Sequence, residues 1–456
     1  MPESTLLNPL GAWPAAARLL ARWLDRHERV DELLSSLPAK LSGAERARCQ
    51  HLVFGVMRHF GRIEAELGRL VAHPPRFSTR AVLFIAGFEL IEAQGEPVAD
   101  GLTAKIVHHA VEQTKHLCSP AEARLVNAVV RKLAAALVAE PPPKLAEADA
   151  LAAYFSHPEW LVRRWLLQFG AETTRKLLEW NQQPATVYAR WRGELSASDA
   201  GNPANKPDWL KPTAWPGYFE VSSGHWSEVE PLLKAGQIYL QDPGTRFSVE
   251  LLAPRPGEII LDACAAPGGK ALLIADALKL SVPTGTSASA GQLIAFDLPG
   301  PRIDRLKENL SRVAGVDVAL VQGDIGRGAW KLLKEHGLPT EFPAVLIDVP
   351  CSNTGVMRHR VDVKWRLQES DFAKHAGQQL ALLSAAARLV AANGRLVYST
   401  CSIDPEENER VVGKFLKETE GRFILEKRIL SFPWESGHDG AAVFLLQSKQ
   451  GERFKG

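Results

Sequence analysis

From about residue 255 the chain alternates short, nearly continuous apolar runs with amphipathic helical segments. No other feature constrains the fold as strongly. The runs are EIILDA (258–263), QLIAFD (292–297), VALVQGD (318–324), AVLIDVP (344–350) and RLVYSTC (395–401), with AAVFLLQ (441–447) near the end. Between them, KALLIADALKL (270–280), RIDRLKENLSRV (302–313) and QQLALLSAAARLVAA (378–392) carry apolar residues at helical intervals. Strands that are apolar on both faces must be covered on both, and parallel neighbours need a crossover helix. The pattern predicts a doubly wound, mainly parallel α/β sheet.

Upstream the texture differs. AARLLARWLDRH (16–27), AERARCQHLVFGVMRHFGRIEAELGRL (44–70) and AEARLVNAVVRKLAAAL (121–137) have the three- and four-residue spacing of amphipathic helices. His73-Pro74-Pro75 separates two of them, and Pro141-Pro142-Pro143 reads as a break and linker. Residues 146–240 are mixed. Helical EWLVRRWLLQF (159–169) precedes strand-like PATVYARWR (184–192) and a polar, Pro- and Gly-rich stretch from Ser196 to Pro216. SVPTGTSASAG (281–291) reads as a surface loop. At roughly 150 residues per domain, 456 residues suggest three domains, drawn at 1–145, 146–240 and 241–456.

Composition narrows the function classes. With 46% hydrophobic and 23% charged residues, the chain is neither collagen-like nor disordered. Its five cysteines (Cys49, Cys118, Cys264, Cys351, Cys401) never fall at CxxC spacing, which argues against a disulfide framework or a zinc site and fits a reducing cytosol. His108-His109 reads as helix surface, and no metal site is expected. No apolar run approaches the roughly 18 residues of a membrane span, and the start lacks the order of a secretory signal. A cytoplasmic, monomeric protein is expected. A net charge of only +2 means that any nucleic-acid role rests on local basic patches.

In open parallel sheets, ligands bind beyond the carboxyl ends of the strands. Here those ends carry Asp262 with Cys264, then Asp297, Asp324, Asp348 with Cys351, and Thr400 with Cys401. One such aspartate is often only a cap or turn former; five polar strand ends in series, four of them aspartates, with three thiols mark a site. The loop Ala265-Ala266-Pro267-Gly268-Gly269-Lys270 opens a helix after the first strand but is neither GxGxxG nor GxxxxGK[ST]. That disfavours a nicotinamide dehydrogenase or an NTPase. Asp297 is placed to accept ribose hydroxyls and Asp324 an adenine amino group, so a ligand with a ribose and no phosphate fits, namely S-adenosylmethionine. Asp404, Pro405 and Glu407 read as N-cap, first position and capping box of a helix whose N-terminus would favour the Cys401 thiolate. The basic stretch Met357 to Arg366 is either a solvated loop or a contact for phosphates and bases.

DACAAPGGK (262–270), DVPCSNTG (348–355) and STCSIDPEENE (399–409) closely resemble the motifs of the Nol/Nop/Sun family of RNA cytosine-5 methyltransferases. QHLVFGVMRH (50–59) and RLVNAVVRKL (124–133) resemble the NusB-type helical RNA-binding domain of its bacterial Sun-type members. HPEWLVRRW (157–165) and GQIYLQDPGTRFSVELLAPRPGE (236–258) match the stretch between, so the likeness covers nearly the whole chain. The resemblance implies an all-α NusB-like domain, a small α+β connecting domain and a C-terminal Rossmann-like class I methyltransferase domain. The implied substrate is small-subunit ribosomal RNA.

It also implies roles. Cys264, Ala265, Ala266, Pro267, Gly268, Gly269, Lys270, Asp297, Arg302, Asp324 and Asp348 would line the S-adenosylmethionine pocket. Cys401 would be the nucleophile and Cys351 would assist product release, while Asp348 would also handle a proton on the base. Val349, Asn353, Val361 and the His438–Ala442 segment depart from the family pattern. None is expected to touch a catalytic group, so the departures bear on RNA positioning. Two other readings stand beside this one. A DNA cytosine-5 methyltransferase would attack with the Pro-Cys thiol and would not need Cys401. A non-catalytic RNA-binding assembly factor would be marked by loss of a motif glycine or cysteine, and neither is lost.

Overall fold

The computed structural model describes residues 11–94, 101–137, 143, 147–192, 206–281 and 289–449. The opening segment, Pro141 and Pro142 of the proline break, residues 196–205 of the polar stretch and 282–288 of the expected surface loop lie outside the described residues. The chain forms two compact units: residues 1–184 with 357–369, and residues 185–356 with 370–456.

The first unit is helical, as its periodicity predicts. Its longest helix, Gly43–Leu70, starts at a full capping box: Ser42 Oγ accepts from the Glu45 N–H at 3.2 Å while the Glu45 carboxylate accepts from the Ser42 N–H at 2.9 Å. Helix Pro120–Ala136 starts with Ser119 as cap and proline at its first position, where the missing N–H costs nothing. Phe77–Ala93 is apolar on every side and buried along most of its length, which suits the centre of a bundle. The core draws on Trp23, Leu52, Phe84, Val130 and, from the returning segment, Val361.

That returning segment corrects the reading of Met357–Arg366 as a solvated loop. Met357, Arg358, Val361, Asp362, Val363 and Lys364 are all buried. Trp365 packs edge-on against Phe60 and donates its indole N–H to the Met57 carbonyl at 2.7 Å. The apolar positions interleaved with its charges pull the stretch into the helical unit, leaving Trp365 only partly exposed.

The second unit holds two sheets. Strands β1 (Tyr188–Trp191), β2 (Leu210–Pro212), β3 (Tyr218–Val221) and β4 (Ile238–Leu240) form an antiparallel sheet of order β2-β3-β1-β4. Arg190 of β1 and Arg192 just after it both reach Asp276 of helix Gly269–Ser281, at 2.7 and 3.0 Å, which fastens this sheet to the first helix of the larger one. The larger sheet comprises β5 (Ile259–Asp262), β6 (Gln292–Asp297), β7 (Asp317–Gln322), β8 (Phe342–Asp348), β9 (Val390–Thr400), β10 (Phe423–Ser431) and β11 (Ala441–Ser448). Its order is β10-β11-β9-β8-β5-β6-β7, with β7, β6, β5, β8 and β9 mutually parallel and β11 antiparallel to both neighbours. Apolar layers cover both faces, which is why the central strands read as continuous apolar runs. The strand order reverses between β5 and β8, so their carboxyl ends flank the ligand crevice of such a sheet.

Two local expectations fail. The helix read through Ala392 ends at Ala387, and β9 begins at Val390, which pairs with Phe342; the gain of sheet pairing ends the helix. Nor does a helix start at Pro405. Residues 405–408 form turns and the helix is Glu409–Glu418, because Glu407 turns its carboxylate away from Asp404 toward Ser352 and Gln379. The capping box is absent, and with it the expected helix terminus beside Cys401.

Candidate active site

The carboxyl ends of β5, β6, β8 and β9 bring most of the expected site residues together. At the crevice between β5 and β8, Lys270 Nζ pairs with Asp348 Oδ2 at 2.7 Å, and the other Asp348 oxygen accepts from Ser399 Oγ at 2.6 Å. Burial alone would lower the Lys270 pKa, but the Asp348 carboxylate outweighs it and raises the pKa, so the ammonium stays charged. Beneath them Asp262 is fully buried, with no side chain hydrogen-bonded to its carboxyl. Burial, then the Asp348 charge, raises its pKa to about 7.

The loop 263–269 is shaped for close approach. Gly268 has φ +111°, a conformation that side chains rarely adopt, and a Cβ there would lie 3.1 Å from Asn309 and Leu306. Asn309 Nδ2 donates to the Pro267 carbonyl at 2.7 Å, fixing the loop from the next crossover. At the end of β6, Asp297 accepts from the Ala266 N–H and the Leu298 N–H, each at 2.7 Å. Both oxygens keep a lone pair free. Arg302 lies 4.0 Å from Asp297, on a largely exposed side chain. Asp324 stands more open, accepting from the Gly326 N–H at 2.9 Å and lying 3.5 Å from Arg327. The Cys264 thiol is pushed far up by burial and by the charges of Asp297, Asp262 and Asp348, which leaves it unreactive.

The two motif thiols meet. Cys351 Sγ and Cys401 Sγ are 3.2 Å apart, at the ends of the adjacent strands β8 and β9. Cys351 is buried and Cys401 is half-buried. The Cys351 pKa is driven well up, first by its hydrogen bond with Cys401 and then by burial, so Cys351 stays a thiol. The loop carrying Cys401 is held by Asn408, whose Nδ2 donates to the Ser402 carbonyl at 2.9 Å and whose Oδ1 accepts from Thr400 Oγ1 at 2.6 Å.

One departure from the family pattern does touch this pair, contrary to expectation. Asn353 accepts from Cys401 Sγ at 3.4 Å and donates to the Cys351 carbonyl at 2.8 Å. It sits at φ +61°, a left-handed position that Asn tolerates where glycine would otherwise serve. Asp262 was not among the expected pocket residues, nor were the polar side chains beneath the thiols. For Asp262 the signal was present, since an aspartate closes the first strand. For the others only the density of Ser, Thr, Asn and Glu around the two cysteines hinted at a network.

Comparison with known proteins agrees with this geometry. The family described as 16S rRNA methyltransferase RsmB/F matches residues 249–439, and the NusB family matches residues 14–135. Ribosomal RNA small subunit methyltransferase B of Sodalis glossinidius is 32% identical over 420 residues, covering 88% of each chain. The chain belongs to the 16S rRNA methyltransferase RsmB/F family. The protein of the same name from Citrobacter koseri is 30% identical over 414 residues, covering 89% of this chain and 90% of that one. Among solved structures, PH0851 superposes with a TM-score of 0.73 at 21% identity, covering 96% of this chain and 99% of its own. A methyltransferase homolog from Pyrococcus horikoshii gives 0.53 at 24% identity, over 65% and 97%. These two likenesses concern the fold alone, which the RsmB/F chain shares with the first along nearly its whole length and with the second over about two thirds. No described helix is long and apolar enough to cross a membrane.

Proposed function

We propose that the protein transfers a methyl group from S-adenosylmethionine to carbon 5 of a cytosine in 16S ribosomal RNA, through a covalent bond between Cys401 and the base. The observation that carries this reading is the 3.2 Å approach of Cys351 and Cys401 at adjacent strand ends, beside the Lys270–Asp348 pair.

The pocket residues fit S-adenosylmethionine. Asp297 has lone pairs left for ribose hydroxyls, and the buried Asp262 carboxyl, to which no side chain is hydrogen-bonded, marks a polar end to the crevice. Ala265, Ala266, Pro267, Gly268, Gly269, Lys270, Asp297, Arg302, Asp324 and the Cys264 backbone would hold it. When bound, the cofactor supplies an electrophilic methyl group.

Carbon 5 of cytosine is too weak a nucleophile to take that methyl unaided. Addition of the Cys401 sulfur to carbon 6 makes carbon 5 enamine-like and splits one hard step into two easier ones. Protonation of ring nitrogen 3 stabilises the adduct, and Asp348 would relay that proton from the Lys270 ammonium, its partner at 2.7 Å. After methylation the carbon-5 proton leaves and the carbon–sulfur bond breaks. The Cys351 thiol, 3.2 Å from Cys401, would protonate the departing sulfur and take up the carbon-5 proton in exchange. The division of labour is supported by exposure and charge, because Cys401 is the more open thiol and Cys351 is the one held protonated. The target base must leave its stack, at a cost of a few kcal/mol. We assign RNA binding to the helical segment 1–145, a connecting role to 146–240 and catalysis to 241–456.

The test is labelled methyl transfer to unmodified 16S rRNA, followed by nucleoside analysis. Wild type should yield labelled 5-methylcytosine and Cys401→Ala none. Label in another nucleoside, or an active Cys401→Ala, overturns the proposal.

A further inference from the structure

Beneath the two thiols lies a buried polar cluster that the chemistry above does not use. Glu407 is fully buried and accepts from the Ser352 N–H at 2.9 Å, from Ser352 Oγ, and from Gln379 Nε2 at 2.9 Å. Gln379, also fully buried on helix Glu369–Ala387, spends its second amide proton on the Pro350 carbonyl at 2.9 Å. Both neighbours of that nitrogen are acceptors, which fixes the orientation of the amide. The peptide groups on either side of Cys351 are thus gripped from below, Pro350 by its carbonyl and Ser352 by its N–H.

The same cluster reaches the other thiol's loop. Ser352 Oγ meets Ser402 Oγ at 3.2 Å, Thr354 Oγ1 accepts from the Ile403 N–H at 3.1 Å, and Thr354 Oγ1 donates to Asp404 at 2.6 Å. The Gly355 N–H donates to the Cys401 carbonyl at 3.0 Å. A hydrogen bond to a buried carboxylate is stronger than a neutral one, and breaking one partner of such a network strands the rest.

We propose that Glu407, acting through Ser352 and Gln379, is a positioning residue that sets the spacing of Cys351 and Cys401. The catalytic consequence, that Cys351 reaches the adduct only while this grip holds, rests on the function proposed above. Glu407 touches no reacting atom; it acts by holding the backbone that aims Cys351.

The conservative variant separates grip from charge. Glu407→Gln keeps an amide oxygen for the Ser352 N–H and Gln379, and the Ser352 hydroxyl can turn to accept from the new amide nitrogen. Glu407→Ala removes every acceptor. Spacing is read with phenylarsine oxide, whose arsenic bridges two neighbouring thiols with release of water. Wild type should take one equivalent at this pair, and Cys351→Ala should lose it. Glu407→Ala should weaken bridging at least ~10-fold, the loss expected for a charge-assisted bond of ~1.5 kcal/mol or more. Glu407→Gln should stay within ~3-fold, and Ser352→Ala should fall between.

In single turnover with RNA, Glu407→Ala should accumulate the covalent protein–RNA adduct as Cys351→Ala does, and Glu407→Gln should clear it. A folded Glu407→Ala that bridges arsenic like wild type overturns the proposal. Should that variant fail to fold, wild-type bridging by Ser352→Ala overturns it instead. The arsenical needs no RNA, so a lost spacing with no methylation by wild type would refute the function and leave the positioning role standing.

Discussion

Gly355→Ala probes the thiol pair through a contact whose size the structure gives. A Cβ at Gly355 would lie 2.5 Å from the Cys401 carbonyl oxygen and 2.9 Å from Gly440 Cα. Ordinary contact begins near 3.4 Å, so a displacement of about 0.9 Å is required, and both obstacles are backbone. The Gly355 N–H donates to that same carbonyl, so the loop cannot swing away without losing the bond. Reactive groups must hold within about 0.5 Å, and a 1 Å misplacement costs roughly 100-fold in rate. Overpacking of this kind also destabilises by about 1–3 kcal/mol. Single-turnover methyl transfer should therefore fall roughly 100-fold, with a lowered melting temperature and S-adenosylmethionine affinity within about 3-fold of wild type. Gly413→Ala is the control, since a Cβ on that helix meets nothing within 4 Å and should leave the rate unchanged. A folded Gly355→Ala with a rate within about 3-fold of wild type would refute the reasoning.

Other consequences follow from the same groups. Folded Asp262 keeps its proton up to about pH 7, whereas the unfolded chain releases it near 3.8. Unfolding between those values releases a proton, so this residue's contribution is complete below 3.8, is lost as pH rises toward 7, and is flat above. The melting-temperature advantage of Asp262→Asn over wild type should grow across that window in thermal scans; a difference independent of pH would sink the assignment. Asp297→Asn keeps the Ala266 contact but loses charge, and should weaken S-adenosylmethionine binding by roughly 10–100-fold in calorimetry; unchanged affinity would remove Asp297 from the pocket. Iodoacetamide should label Cys401 well before Cys351, with Cys49, a buried thiol pushed up to about 12, left unmodified. Peptide mapping that finds Cys351 labelled first would reverse the two roles.

The parts of the fold legible in the sequence are those whose environment is uniform. β5, β6 and β8 are covered on both faces, and their apolar runs announce it. β10 was not anticipated because an edge strand has little to bury: Ile424 to Arg428 are exposed, and Glu426, Lys427 and Arg428 read as solvent-facing chain. Of the small antiparallel sheet only β1 was anticipated, within PATVYARWR; β2, β3 and β4 escaped for another reason, since strands of three or four residues are too short to show alternation. In the site, strand-end aspartates and cysteines were visible because each closes an apolar run. The capping box failed on a competition that no local pattern encodes, in which Ser352, 55 positions away, takes the Glu407 carboxylate. Asn353 was read only as a departure from a motif, although its left-handed backbone and its two contacts with the cysteines give it a reason to be there.

The central claim is a bond between the Cys401 sulfur and carbon 6 of cytosine. It is tested most directly with RNA carrying 5-fluorocytosine, which has no carbon-5 proton to lose and so should hold the methylated adduct on the protein. Digestion and mass mapping of the trapped complex should place the nucleotide on the peptide bearing Cys401, dependent on S-adenosylmethionine and absent from Cys401→Ala. A nucleotide on the Cys351 peptide, or full methylation of ordinary RNA with no adduct formed on the fluorinated one, would contradict the account.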